Sequence, residues 1–419
     1  MRIVIHSFGT RGDLAPFTGL GARLQQAGHE VAVGVHESFA PMVRAAGLEH
    51  RPLAGDVRAL LAGDTGRELE RGGAGVRWMT RTMSKAGSYN ETMNQLGESI
   101  AEASRDADLL LLHRGTLFHG YVVAKAMGIR SMLTDLFPSS LAVTGEFPPV
   151  MFGARSFGRW GNRALATGFP RLVSPLLGFA KDFQRRMGVP AVGLSGTYRE
   201  IDRSRWPILH GFSPLIVPRP ADWRPGIDVV GYWWPRPDPA WQPPAELVDF
   251  LESGPPPVYF GFGSMAQNNR ERLSEVVTEV VRRTKVRAVV QAGWSGLSAA
   301  GDDVLAIGDA PHEWLFPRMA AVVHHGGAGT TGAGLRAGVP AVAVTVLGDQ
   351  PFWGERMTRA GVSPGWTTLN SLTAERLAEL VGAAVTDPAH QRRARELAEG
   401  IATEDGAGRV VDVVSRMES

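Results

Sequence analysis

Twice along the chain an apolar run of strand length gives way to a small-residue turn, a helix-period stretch and a second apolar run. The first copy reads as strand 2–7, turn 8–13, helix 16–27 closed by Gly28, and strand 30–35. The second reads as strand 258–262, turn 263–265, helix 270–284 and strand 287–291. Such a unit joins parallel strands through a crossover helix, so the repeat points to an α/β fold with covered parallel sheets. Two copies imply two Rossmann-like halves. Further strands are expected in the first half at 109–112, 130–134 and 207–210, and the LLLL of 109–112 is the unbroken apolar run of a strand covered on both faces. Between the halves, prolines and tryptophans crowd residues 216–257, as in WWPRPDPAW, and proline at this density breaks helices and interior strands. The expected division is an N-terminal domain over 1–215, a linker over 216–257 and a C-terminal domain over 258–419, whose last helix is able to pack back on the first domain.

Composition narrows the chemistry. The chain has no cysteine, which excludes disulfides, thiolate catalysis and Cys-ligated metals. A formal charge of +2 in 419 residues gives no broad field for nucleic acid. The start, MRIVIHSFG, lacks the apolar core and cleavage site of a signal peptide, and no apolar run reaches bilayer length. These features read as a soluble, cytoplasmic protein.

In an open parallel sheet, ligands collect beyond the carboxyl ends of the strands. That edge holds residues 8–13, His113, Asp135 and His210 in the first half, and 263–264, 308–312, His324, His325, Asp349 and Gln350 in the second. The densest stretch is HHGGAGTTGAG at 324–334. Within it, Gly327-Ala-Gly-Thr-Thr-Gly332 is a formal dinucleotide fingerprint, and Asp349 follows Gly327 by 22 residues, near the spacing of a ribose-binding acid. A nicotinamide or flavin oxidoreductase is therefore a rival reading. The expected helix 330–337 is short for that class, and Asp349 lies past the strand 341–346 rather than at its tip. What remains is a helix N-terminus with small residues, whose free N–H groups suit a diphosphate, with His325 able to donate to the same group and His324 structural.

In the first half, Asp13 sits in the turn GTRGD, either as a cap of the following helix or as a general base for a hydroxyl. His6 lies within the strand and reads as a core histidine. Asp106 and Asp108 match a DxD metal motif but precede strand 109–112, on the wrong edge of the sheet. Neither a nucleophile elbow nor a phosphate loop of the GxxxxGK[ST] type occurs. Residues 151–190 carry seven basic residues against one acid, interleaved with aromatics. Three readings compete there: amphipathic helices with a solvated basic face, a greasy acceptor pocket, and weak contact with an anionic membrane surface.

Taken together these motifs resemble the GT-B fold glycosyltransferases of family 1, especially the bacterial natural-product enzymes and the sterol glucosyltransferases. APHEWLFP at 310–317, VVHHGGAGTT at 322–331, LRAGVP at 335–340 and GDQPFW at 348–353 carry the likeness in order and spacing. GTRGD at 9–13, GFGSM at 261–265, VPRPADW at 217–223 and GYW at 231–233 extend it over essentially the whole chain. The resemblance implies a C-terminal half that binds a UDP- or dTDP-sugar as co-substrate, and an N-terminal half that binds a hydrophobic acceptor, with reaction in the cleft between them. His325, Gly327, Ala328, Gly329 and Thr330 would meet the diphosphate, with Ser264 nearby. Asp349 and Gln350 would hold sugar hydroxyls, and Ala310, Pro311 and His312 would flank the base. Asp13 would be the catalytic base, with Thr10, His113, Asp135 and Phe137 on the acceptor side. Trp78, Met79, Met83, Phe152 and Trp160 suggest a large apolar acceptor such as a polyketide, macrolide, polyether or sterol. Plant relatives open the donor motif with a tryptophan, and here that region is Gly308-Asp-Ala-Pro311, which leaves uridine against thymidine open. The implied reaction inverts the anomeric centre, needs no metal and no cofactor beyond the nucleotide-sugar, and suits a monomer or homodimer. A non-catalytic partner protein on the same fold is the remaining alternative.

Overall fold

The computed structural model describes residues 1–56, 86–173, 179–263, 269–292, 297, 299, 301 and 303–418. Ser264, Trp78, Met79 and Met83 lie outside them. The chain divides into two compact units, the first built from the described parts of 1–60, 74–238 and 405–419, the second from 239–404.

The first unit is a seven-stranded sheet in the order β3-β2-β1-β4-β5-β6-β7. Its strands are β1 (Arg2–His6), β2 (Glu30–Val35), β3 (Glu49–Pro52), β4 (Leu109–Leu112), β5 (Arg130–Asp135), β6 (Ile208–His210) and β7 (Ile227–Val229). All pairs are parallel, with Ile3 opposite Val31 on one side and Leu109 on the other. Ile3, Val4, Ile5 and all four leucines of β4 are sealed from solvent, each contributing about 1.5–3 kcal/mol of burial. The crossovers are α1 (Arg11–Gln26), α2 (Ala40–Ala45), α3 (Ala86–Ala103), α4 (Leu117–Met127), α5 (Gly158–Val173), α6 (Phe179–Arg186) and α7 (Gly193–Arg203).

Two departures from the sequence reading have plain causes. Helix α1 begins at Arg11 rather than Pro16, because Thr10 takes the extended N-cap conformation and Asp13 reaches back to its N–H. Strand β7 forms inside the proline-rich stretch read as linker, at the sheet edge, where only one side needs pairing. Beyond it Trp233, 1 % exposed, packs on Phe17 at 5.6 Å.

The second unit is a six-stranded parallel sheet in the order β10-β9-β8-β11-β12-β13. Its strands are β8 (Val258–Gly261), β9 (Ala288–Gln291), β10 (Val304–Ile307), β11 (Ala321–His324), β12 (Ala341–Thr345) and β13 (Trp366–Thr368). Its helices are α8 (Ala245–Glu252), α9 (Arg270–Thr284), α10 (His312–Leu315), α11 (Ala328–Ala337), α12 (Gln350–Arg359), α13 (Ala374–Thr386) and α14 (Pro388–Ala402). Val258, Phe260, Val290, Val323 and Val342 form its sealed centre, covered by α9 and α13. The last helix, α15 (Gly406–Glu418), belongs to the first unit and packs on α1. Gly406 makes that return close: a Cβ there would lie 2.4 Å from the Gly231 carbonyl carbon. Among the described residues no helix is long and apolar enough to cross a membrane.

In both sheets the chain winds outward in opposite directions from a central pair, β1 with β4 and β8 with β11. The loops leaving these pairs diverge and open the crevice in which such sheets bind ligands.

Candidate active site

In the first unit the crevice is formed by the β1–α1 turn and the end of β4. Asp13 Oδ2 accepts from the Thr10 N–H at 2.7 Å and from the Thr10 hydroxyl at 3.0 Å. Gly9 permits this close turn, since a Cβ there would lie 2.4 Å from that oxygen. The other oxygen, Oδ1, lies outside the capping box, 3.6 Å from His113 Nε2, on a side chain that is 29 % exposed. His113 itself is buried at the tip of β4, and burial pushes its imidazole down to about 4, against the pull of the Asp13 charge. The ring is therefore neutral at neutral pH. Thr116 ties this corner together, its hydroxyl donating to the carbonyls of His6 and His113 at 2.9 Å each.

Other acceptor-side candidates are placed differently. Asp135 is 0 % exposed and its Oδ1 accepts from the Leu136 N–H, so the carboxylate serves the chain turn rather than an open surface. Phe137 is buried beneath the Arg114 guanidinium, 4.0 Å from its ring centre. His210 receives the Ser139 N–H at 3.1 Å and stacks on Trp223. His6 is buried against the Ser104 hydroxyl at 2.8 Å. Asp106 binds Arg2 and Arg51, and Asp108 accepts from the Arg2 N–H, so the DxD pair is engaged in structural contacts.

In the second unit, β11 ends at His324, whose Nδ1 accepts the Gly326 N–H at 3.0 Å. Gly326 adopts φ +82°, and a Cβ there would lie 3.0 Å from the Gln350 carbonyl. Gly327 is the N-cap and α11 starts at Ala328, two residues before the position expected from sequence. The N–H groups of Ala328, Gly329 and Thr330 thus fall in the first turn, where a helix offers unsatisfied donors and positive potential. The His325 ring lies between two glycines, with a Cβ on Gly327 falling 2.4 Å from its Nε2 and one on Gly263 falling 3.3 Å from its Cε1.

Asp349 stands at the N-cap position of α12 without a side-chain cap bond, and its carboxylate accepts the Trp353 indole N–H at 2.9 Å. Gln350, a buried residue, accepts through Oε1 from the N–H groups of Val346 and Leu347 at 2.7 and 3.3 Å, which fixes that side chain by its carbonyl. After Ala310 and Pro311, His312 stacks on Phe316 at 4.3 Å. A chain that sequence reading missed runs beside it: the Tyr259 hydroxyl donates to Gln291, whose amide donates to Asp309 at 3.2 Å. Its one sequence signal was a polar Gln291 closing an apolar strand.

These two corners can be set beside known proteins. The family model described as erythromycin biosynthesis protein CIII-like, C-terminal domain, matches residues 271–417, and that for the glycosyltransferase family 28 N-terminal domain matches 3–107. The O-mycaminosyltylonolide 6-deoxyallosyltransferase of Streptomyces fradiae is 35% identical over 421 residues, covering 97% of this chain and 95% of that relative. The chain is a family 1 glycosyltransferase of the GT-B fold. A sterol 3-beta-glucosyltransferase of Arabidopsis thaliana is 32% identical over 99% of this chain and 68% of its own length; for a second from that plant the share of its length is 64%. The solved glycosyltransferase VinC in complex with dTDP superposes with a TM-score of 0.66 at 20% identity, over 99% of each chain. In this glycosyltransferase the glycines of 327–332 are accordingly not a nicotinamide or flavin fingerprint, and the chain is an enzyme rather than a non-catalytic partner.

Proposed function

We propose that this glycosyltransferase moves a sugar from a UDP- or dTDP-sugar to a hydroxyl of a lipophilic natural product, of polyketide, macrolide, polyether or sterol type. Relatives named for sterol and for O-mycaminosyltylonolide acceptors support the acceptor class, and solved neighbours in complex with thymidine diphosphate support the donor class. Asp13 carries the catalytic reading: one carboxylate oxygen is held by Thr10, while the other stands outside that box, on a side chain that is partly exposed. A base needs this combination of fixed direction and free lone pair. Oδ1 takes the proton of the acceptor hydroxyl as its oxygen attacks the anomeric carbon. The bond from that carbon to the diphosphate oxygen breaks on the opposite face, so configuration inverts.

The leaving diphosphate meets the first turn of α11 and the His325 imidazole, which place positive potential where charge develops. Asp349 and the Gln350 amide hold sugar hydroxyls, and residues 310–312 flank the base. With this charge stabilisation supplied by the chain, turnover persists in EDTA; strict dependence on added magnesium or manganese overturns that part. Asp13 and the diphosphate turn belong to different units, so turnover draws on both. The deciding experiment is mass spectrometry of products from mixed UDP- and dTDP-sugars with a panel of hydrophobic alcohols. A mass gain of one sugar residue on an alcohol is expected, and donor hydrolysis with no acceptor product across the panel counts against the reading.

A further inference from the structure

Helix α5 is held to the first unit by polar contacts, and the helix with the segment before it leaves four large apolar side chains exposed. Asn162 is its one fully buried residue among those described, donating to the Gly145 carbonyl and the Ser156 hydroxyl while accepting the Phe157 N–H. Arg163 adds an ion pair to Asp222 at 3.0 Å. By contrast Trp160 is 89% exposed, Phe157 54%, Met151 45% and Phe152 36%, and these four make up most of the exposed large hydrophobic residues among the described residues. Phe152 meets Phe169 of α5 edge-on at 4.9 Å, so the turn before the helix and the helix itself form one continuous surface. An ordinary amphipathic helix turns its apolar residues inward, whereas here Trp160 is turned out and Leu165 and Phe169 are only half-buried.

The charge of the same surface says what covers it. From residue 147 to residue 181 the chain has no acid and five basic residues, although its total formal charge is only +2. Among the described residues Arg155, Arg159, Arg171 and Lys181 have no acidic partner. Tryptophan and phenylalanine flanked by arginines with no acidic partner among the described residues match the headgroup layer of an anionic bilayer, where rings enter the acyl boundary and cations meet lipid phosphates. We propose that the surface formed by residues 151–171 docks this glycosyltransferase reversibly on an anionic lipid membrane. On the acceptor class proposed above, that is also where the acceptor concentrates, but docking stands without it.

The test is co-flotation of the full chain with vesicles of phosphatidylcholine alone and of phosphatidylcholine mixed with phosphatidylglycerol. Two double variants, Phe157→Ser with Trp160→Ser and Arg159→Glu with Arg171→Glu, are compared after circular dichroism and thermal midpoint show that both fold. The expected result is flotation with the mixed vesicles, release by high salt, and a fall in bound fraction of at least about tenfold in each variant. Wild-type protein that stays unbound with both vesicles at low salt, or variants that bind as wild type does, overturn the proposal. So does a loss of turnover on a water-dispersed acceptor with vesicle binding unchanged, which assigns Trp160 to the acceptor. A dimer in light scattering that the serine pair dissociates, with no vesicle binding, assigns the face to a second copy and overturns it as well.

Discussion

Asp13 divides two tasks between its two oxygens. Oδ2 closes the capping box with Thr10, and Oδ1 is the proposed base. Asparagine keeps an oxygen for the Thr10 N–H but loses the basic lone pair, so Asp13→Asn separates the tasks. Turnover is expected to fall by about 10²- to 10⁴-fold while unfolding free energy changes by less than about 1 kcal/mol. A near-normal rate in that variant returns Asp13 to capping alone. On the donor side, His325→Ala removes a donor to the diphosphate, worth about 1.5–3 kcal/mol for a charged partner. Affinity for dTDP or UDP by calorimetry is expected to drop by about tenfold or more, and unchanged affinity sinks the assignment. The turn that carries Asp13 was legible from its place between a strand and a helix. The division of labour was not, because it depends on Gly9 having no side chain, where a Cβ would lie 2.4 Å from the Asp13 carboxylate oxygen.

At the scale of elements, both sheets were legible where strands are runs of apolar residues, as in β4 and in Ala321–Val323 of β11, because covered parallel strands leave no other pattern. The edge strand β7 was not, since proline density argued against any strand and an edge needs only one set of ladder bonds. The start of α11 was also misplaced, at residue 330 rather than 328, because Gly327 caps the helix without a side chain and so leaves no capping signal. What shapes that start is Gly326, at φ +82° and packed under the Gln350 carbonyl. Gly326→Ala meets both a left-handed backbone and a 3.0 Å contact, and is expected to cost about 1–2 kcal/mol in denaturant unfolding from the backbone alone. Because Gly326 links His325 to α11, nucleoside diphosphate affinity should fall with it. Full affinity in a destabilised variant would separate the turn from donor binding.

Over the whole molecule, burial has placed five imidazoles where protons are costly. His6, His119, His210 and His324 are pushed down to about 3 and His113 to about 4, each chiefly by loss of solvent. An unfolded chain protonates all five near pH 6.5, whereas the folded chain holds them neutral until pH 4 or 3, so in that window the unfolded state binds more protons. Their stabilising contribution is complete above about pH 6.5 and is lost as pH falls, toward 4 for His113 and toward 3 for the other four, each group adding about 1.4 kcal/mol of loss per pH unit. The thermal midpoint should therefore drop steeply between pH 6.5 and 4, and a flat profile there would mean that protons reach these rings without unfolding. His119 makes the cleanest single check. Its ring stacks on Phe179 at 5.5 Å and meets Phe183 edge-on at 4.9 Å, and its Nε2 has no hydrogen-bond partner among the described residues. His119→Phe keeps the aromatic packing and removes one proton from the linkage, so its stability should fall less steeply with acid than that of the wild type, by about 1.4 kcal/mol per pH unit.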